Sequence, residues 1–177
     1  MSDLTPESIS VATRADLRNV TTNWPHILSA LDWAGINTPL VQVGMAATIA
    51  IETGHFAPIA ERRASAEKNP DIYNLQKRYW DTGFYGRGYI QLTWEYNYSL
   101  AGKALGINLV KSPELVMESE VSAKIAAWFF KEKSVDIACQ SKDWHTVRRL
   151  VNGSGYANSV ESFKRFLRIC TALENAI

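Results

Sequence analysis

The stretch PLVQVGMAATIAIETGHF, residues 39–56, decides how the chain folds. Apolar residues fall nearly all round a helix drawn from Pro39 to Thr53. The spacing therefore predicts a helix buried on every side rather than one with a wet face. Gly54 follows as a natural helix stop. Glu52 and His55 stand where that helix ends. Two readings of Glu52 are open. It is a partly exposed carboxylate paired with an arginine, or it is a carboxyl in a desolvated last turn. In the second case Ile49, Ile51 and Phe56, with the negative end of the helix dipole, all disfavour the charged form. A general acid near neutral pH needs that environment.

Outward from this helix the chain reads as mainly α. Thr5-Pro6-Glu7 has the cap, first-turn proline and acidic first turn of a helix that opens there and runs to about Asn19. Trp24–Ala34 follows, stopped by Gly35. Residues 59–88 are polar and irregular, too long for an idle loop, with a short helix expected near Ile72–Tyr79 and a functional site along their edge. GYIQLT, residues 88–93, reads as extended. Helices are expected at Tyr96–Leu105, Glu118–Lys133, Trp144–Val151 and Val160–Leu173. The third of these segments from the end, acidic at its start and basic at its finish, suits the helix dipole. No repeat or linker divides the chain, so residues 1–177 read as one domain with little β structure.

The bulk numbers set limits. With 177 residues the chain can bury a sizeable core. A net charge of +1 provides no global field for nucleic acid or an anionic membrane. No stretch reaches the roughly 18 apolar residues of a membrane span, so stable insertion is not expected. The opening MSDLTPESISVATRADL lacks the basic and apolar regions of a secretory signal, so synthesis in the cytoplasm is expected. Cys139 and Cys170 form no CxxC pair. Free thiols in a reducing compartment are expected, with one disulfide as the alternative.

Glu61 lies nine residues beyond Glu52, beside Arg62 and Arg63, where its environment favours the ion. One carboxyl that donates a proton and one that activates water is the division of labour of glycoside hydrolysis. Other chemistries fit less well. Glu52-x-x-His55 has one half of a di-iron spacing and no second copy, and HExxH is absent, so no metal is expected. Gly86-Arg87-Gly88-x-x-Gln91 lacks the third glycine of a dinucleotide loop, and no GxSxG elbow occurs. No cofactor is expected.

ETGHF at 52–56, Glu61, FYGRGYIQLTWEYNY at 84–98 and LVNGS at 150–154 together resemble glycoside hydrolase family 19, the family of plant-type chitinases and many bacteriophage endolysins. The resemblance runs from about residue 40 to the end. It implies a lysozyme-like, α-rich fold with two lobes around a cleft. It implies Glu52 as the catalytic acid, Glu61 as the base in an inverting reaction, and Thr93 as the hydroxyl that holds the attacking water. Gln91, Tyr96, Asn97 and Asn152 match sugar-lining positions. Arg87 is expected to brace the site, and Trp80 and Trp94 to be platforms or core. Tyr89 replaces a frequent proline, Trp94 and Glu95 replace a frequent asparagine or histidine, and the acid-to-base spacing is shorter than in plant enzymes. The short chain, without a plant-style cysteine set, is similar to the endolysin branch. That branch implies a muramidase cutting the β-1,4 bond between N-acetylmuramic acid and N-acetylglucosamine of peptidoglycan. It implies a monomer without a separate wall-binding domain, held in the host cytoplasm until a holin releases it to the periplasm and cell wall. A chitinase and a catalytically idle glycan-binding module are the alternatives.

Overall fold

The helix at the centre of the fold, α3 (Pro39–Thr53), is buried on every side from Leu40 to Ala50. Thr38 caps it, the hydroxyl accepting from Val41 N, and Gly54 ends it in the left-handed region with φ 69°. Its buried Gln42 is fully satisfied. The side chain accepts from Leu4 N and donates to Asp3 and Asn37, which ties the start of the chain to α3. The computed structural model describes residues 3–152 and 160–177.

Around α3 stand α1 (Pro6–Thr13), α7 (Val135–Gln140), α8 (Trp144–Asn152) and α9 (Val160–Glu174). α2 (Leu17–Ala34) packs along α6 (Ser119–Glu132) with Val20, Trp24, Ile27 and Leu31 inward. Gly44 lets α7 approach α3 closely, because a Cβ there would overlap the sulfur of Cys139. Both cysteines are free and buried, and burial pushes both thiols far up.

A second, smaller core lies under α5 (Glu95–Leu105), built from Phe84, Leu92, Tyr98, Leu109, Val116 and Ile125. α6 serves both cores: Ala123, Ala126 and Phe130 face the large one and Ile125 the small one. Ile90, partly buried, packs against both. These are the two lobes of the expected mainly α fold. Among the described residues, strand is confined to an antiparallel pair of two-residue strands, β1 (Ile59–Ala60) and β2 (Arg87–Gly88). No helix among the described residues is long and apolar enough to cross a membrane.

Several boundaries differ from expectation. The first helix stops at Thr13, because Arg14 turns left-handed (φ 62°). The Asp16 carboxylate then starts α2 by accepting from Arg18 N, and α2 continues through Pro25. Residues 88–93 form a tight turn rather than an extended segment. Arg87 and Leu92 exchange backbone hydrogen bonds of 3.2 and 2.9 Å across it. The short helix of the polar segment, α4, spans Pro70–Gln76. The six-residue α7 went unforeseen: it follows left-handed Ser134 and has no side-chain cap.

The close α3–α7 approach is testable. Gly44→Ala gains up to about 1 kcal/mol of helix propensity. Overpacking against Cys139 outweighs it, with a net loss of about 1–2 kcal/mol expected from a urea midpoint. Adding Cys139→Ala should restore most of the loss. An unchanged midpoint in the single variant would refute the contact.

Candidate active site

Three donors hold the Glu61 carboxylate. Gln76 Nε2 and Tyr79 OH donate to Oε1 at 2.9 and 2.8 Å, and the backbone N–H of Gly86 donates to Oε2 at 3.1 Å. All three contacts use Glu61 as the acceptor. Gln76 and Tyr79 lie three apart at the end of α4 and just beyond it. Gln76, itself buried, also donates to Arg62 O and accepts from Ala64 N. Burial first, then the Glu61 charge, push the Tyr79 phenol well up, so it stays a donor. Gly86 is bare for a reason: a Cβ there would lie 2.9 Å from Gln91 Oε1 and 3.3 Å from Glu61 Oε2.

The turn after β2 carries side chains in unusual backbone. Gly88, Gln91 and Trp94 have φ of 81°, 53° and 75°. Such conformations cost about 1–3 kcal/mol for a side-chain-bearing residue. Gln91 offsets this by donating to Ile59 O and Gly88 O, each at 3.0 Å. Thr93 Oγ1 donates to Gln91 O at 2.8 Å, and Asn97 Nδ2 donates to Thr93 O at 2.8 Å.

Gln91, Thr93, Tyr96 and Asn97 line one cavity of about 460 Å³. Trp128, Phe129 and Glu132 of α6, Lys133 just beyond it and Asn152 of α8 line it too. The Asn152 amide nitrogen is buried and has no partner among the described residues. The turn beyond Asn152 expected from the sequence, residues 153 and 154, lies outside the described residues.

Glu52 and Glu61 do not line that cavity. Glu61 and the cavity-lining Gln91 both border the space that a Cβ on Gly86 would fill. Glu52 Oε1 accepts from Arg148 Nη1 at 2.5 Å, and Arg148 lies one helical turn before Asn152 on α8. This corrects the desolvated-carboxyl reading of Glu52. The partly exposed, arginine-paired reading is the one the structure shows: Arg148 is 2% exposed and Glu52 itself 19% exposed. Oε2 of Glu52 has no hydrogen bond among the described residues.

Sequence reasoning missed Arg148, Gln76 and Tyr79. Arg148 left a trace: with Trp144 and Val147 it falls on the buried face of α8, where an unpaired charge is costly. Gln76 left none. Arg87 braces as expected, donating to Gly83 O and Tyr98 OH under the Tyr85 ring. Trp80 stacks on Tyr85 at 4.5 Å and Trp94 meets Tyr79 edge-on; neither lines the cavity. No three His, Cys, Asp or Glu side chains cluster for a metal among the described residues.

Residues 49–158 match the family model described as chitinase class I. An endochitinase of Arabidopsis thaliana is 35% identical over 141 residues, covering 72% of this chain and 50% of that protein. A basic endochitinase of Brassica napus is 30% identical over 162 residues, covering 88% and 58%. The chain thus spans about half the length of these relatives. Chitinase C of Streptomyces griseus has the same fold at TM-score 0.69 and 24% identity, over 96% of this chain and 76% of that one. A bacterial family 19 chitinase matches at TM-score 0.68 and 22% identity, over 96% and 94%.

The Glu52–Arg148 pair predicts an asymmetry. Glu52→Ala strands a fully buried guanidinium and should cost about 3–5 kcal/mol of stability. Arg148→Met leaves a carboxylate that still reaches water and should cost clearly less. In the double variant most of the Glu52→Ala loss should disappear. Equal, additive losses in denaturant titrations would mean the pair is not coupled.

Proposed function

Because the chain belongs to glycoside hydrolase family 19, the class I chitinase family, we propose that it is a glycosidase working through Glu52, Glu61 and Thr93 on peptidoglycan. The observation that carries this reading is the three-donor clamp on Glu61, one donor of which is Gly86, whose missing Cβ leaves the space beside the cavity-lining Gln91. A base must be held in a fixed orientation, and three donors orient this carboxylate.

Glu52 is the acid in this reading. Arg148 holds one of its oxygens, leaving Oε2 to carry the proton to the glycosidic oxygen. Thr93 spends its hydroxyl proton on Gln91 O, so its oxygen is an acceptor. A water donating one hydrogen to Thr93 and the other to Glu61 turns a lone pair toward the sugar. As Glu61 takes the proton, the water oxygen bonds to the anomeric carbon while the departing oxygen receives the Glu52 proton. Asn152 Nδ2, a buried donor without a described partner, suits an N-acetyl carbonyl or hydroxyl. Gln91, Tyr96 and Asn97 complete the sugar-lining set.

Peptidoglycan is favoured over chitin by the two charged residues in the cavity lining. Glu132 and Lys133 gain nothing from an uncharged N-acetylglucosamine polymer. They are complementary to stem peptides, which carry both amines and carboxylates. The bond cut is then the β-1,4 link from N-acetylmuramic acid to N-acetylglucosamine. The cellular setting in this proposal is a phage endolysin, released through a holin to lyse the host wall. The alternative is a chitinase, since the curated relatives are named endochitinases.

Mass spectrometry of digests of purified Gram-negative peptidoglycan, with colloidal chitin in parallel, decides between them. Muropeptides with a reducing N-acetylmuramic acid end are expected from the wild type and not from Glu52→Gln or Glu61→Gln. Chitin oligomers alone would move the protein to the second reading, and product from either Gln variant would remove that residue's role. Thr93→Ala should lower kcat by about 10- to 1000-fold; a wild-type rate ends its water role. Glu132→Ala with Lys133→Ala should raise KM for peptide-bearing glycan but not for glycan stripped of its stems. An equal effect on both substrates would discard the stem-peptide contact.

A further inference from the structure

Away from the glycan cavity, the last turn of α1 and the middle of α9 enclose a second hollow of about 360 Å³. Its lining is Ala12, Thr13, Arg14, Arg165, Arg168 and Ile169, and it shares no residue with the first. Arg165 and Arg168 lie three apart on α9 and so share a side. Arg14 occupies the left-handed C-cap of α1. Arg168 is paired with Glu161 at 3.2 Å, both largely exposed. The guanidiniums of Arg14 and Arg165 have no hydrogen bond or ion pair among the described residues. In a chain of net charge +1, three arginines around one hollow are a local concentration, not a share of a general excess.

A shallow apolar trough adjoins the hollow and shares Ala12 with it. Val11, Ala172 and Ala176 line it, with Glu7 and Ser8 beside them. Val11 is 82% exposed. Along α9 and just past its end, Arg165, Arg168, Ala172 and Ala176 recur every three or four residues. One stripe of surface therefore passes from cationic to apolar.

Guanidinium matches phosphate oxygens in charge and in donor geometry. A free phosphate would use the arginines and ignore the trough. A phosphate with hydrocarbon behind it uses both, since small apolar side chains beside a cationic face rest at the headgroup–acyl boundary of a bilayer. Glu7 and Glu161 oppose an anionic surface, which keeps the association reversible. We propose that the α1/α9 face is a peripheral docking site for anionic phospholipid, with Arg14, Arg165 and Arg168 on the phosphates and Val11 and Ala172 against the acyl boundary. The inference stands independently of the hydrolase reading.

Co-sedimentation of the full chain with phosphatidylcholine vesicles, with and without phosphatidylglycerol, tests it. The wild type should sediment only with the anionic vesicles. Arg165→Ala and Arg168→Ala should each weaken binding about fivefold, the usual contribution of one basic residue at such a surface. Val11→Ser should weaken it most clearly in high salt, where charge is screened. Arg18→Ala, an exposed arginine paired with Asp16 outside the hollow, should change nothing. All variants should keep the wild-type urea midpoint, because the altered side chains are exposed. Binding unchanged by the two arginine substitutions would overturn the site. Binding abolished by inorganic phosphate and indifferent to Val11→Ser would overturn the membrane assignment in favour of a soluble phosphate.

Discussion

A helix buried on every side has nowhere to put polar groups except its ends, and the rest of the fold follows from satisfying that constraint for α3. Its flanks demand apolar neighbours, and α1, α7, α8 and α9 supply them. At the N-terminal end Gln42 is met by Asp3, Leu4 and Asn37. At the C-terminal end Glu52 is the first ionisable group of the helix. It is answered by Arg148, carried in on α8. The same packing that hides α3 thus delivers a guanidinium to the one carboxylate it exposes.

With so little sheet, the loops framing the cavity need other ties, and side-chain amides provide them. Asn23 of α2 donates to Phe56 O, and its oxygen accepts from both Tyr89 OH and Ser119 Oγ. Burial raises the Tyr89 phenol to about 12, so it remains a donor to that amide. Asn19 reaches His55 O, and Gln91 reaches Ile59 O. Three of these ties satisfy backbone carbonyls, those of His55, Phe56 and Ile59.

The sequence was most legible where one physical signal dominated. The all-round apolar run of α3, the left-handed glycine stops at Gly54 and Gly106, and the charge gradient of α6 placed those helices to within a residue, while Gly35 placed the end of α2 but not its start at Leu17. It was least legible where competing local signals decided the outcome. The Asp16 cap and left-handed Arg14 moved a boundary that the apolar pattern alone put near Asn19. Among candidate site residues, Gln91, Thr93, Tyr96, Asn97 and Asn152 do share one cavity. What a single sequence could not give were the partners that orient the two glutamates. Arg148 is 96 residues from Glu52, and Gln76 and Tyr79 are 15 and 18 from Glu61. Those distances are closed only by tertiary packing, which no local period encodes.

Ile90 packs against both hydrophobic cores and also lines the cavity between Gln91 and Trp128. One aliphatic side chain therefore belongs to three surfaces at once. Trimming it to valine would loosen both cores together, at a cost of about 0.5–1.5 kcal/mol, and would widen the cavity by the same methyl group.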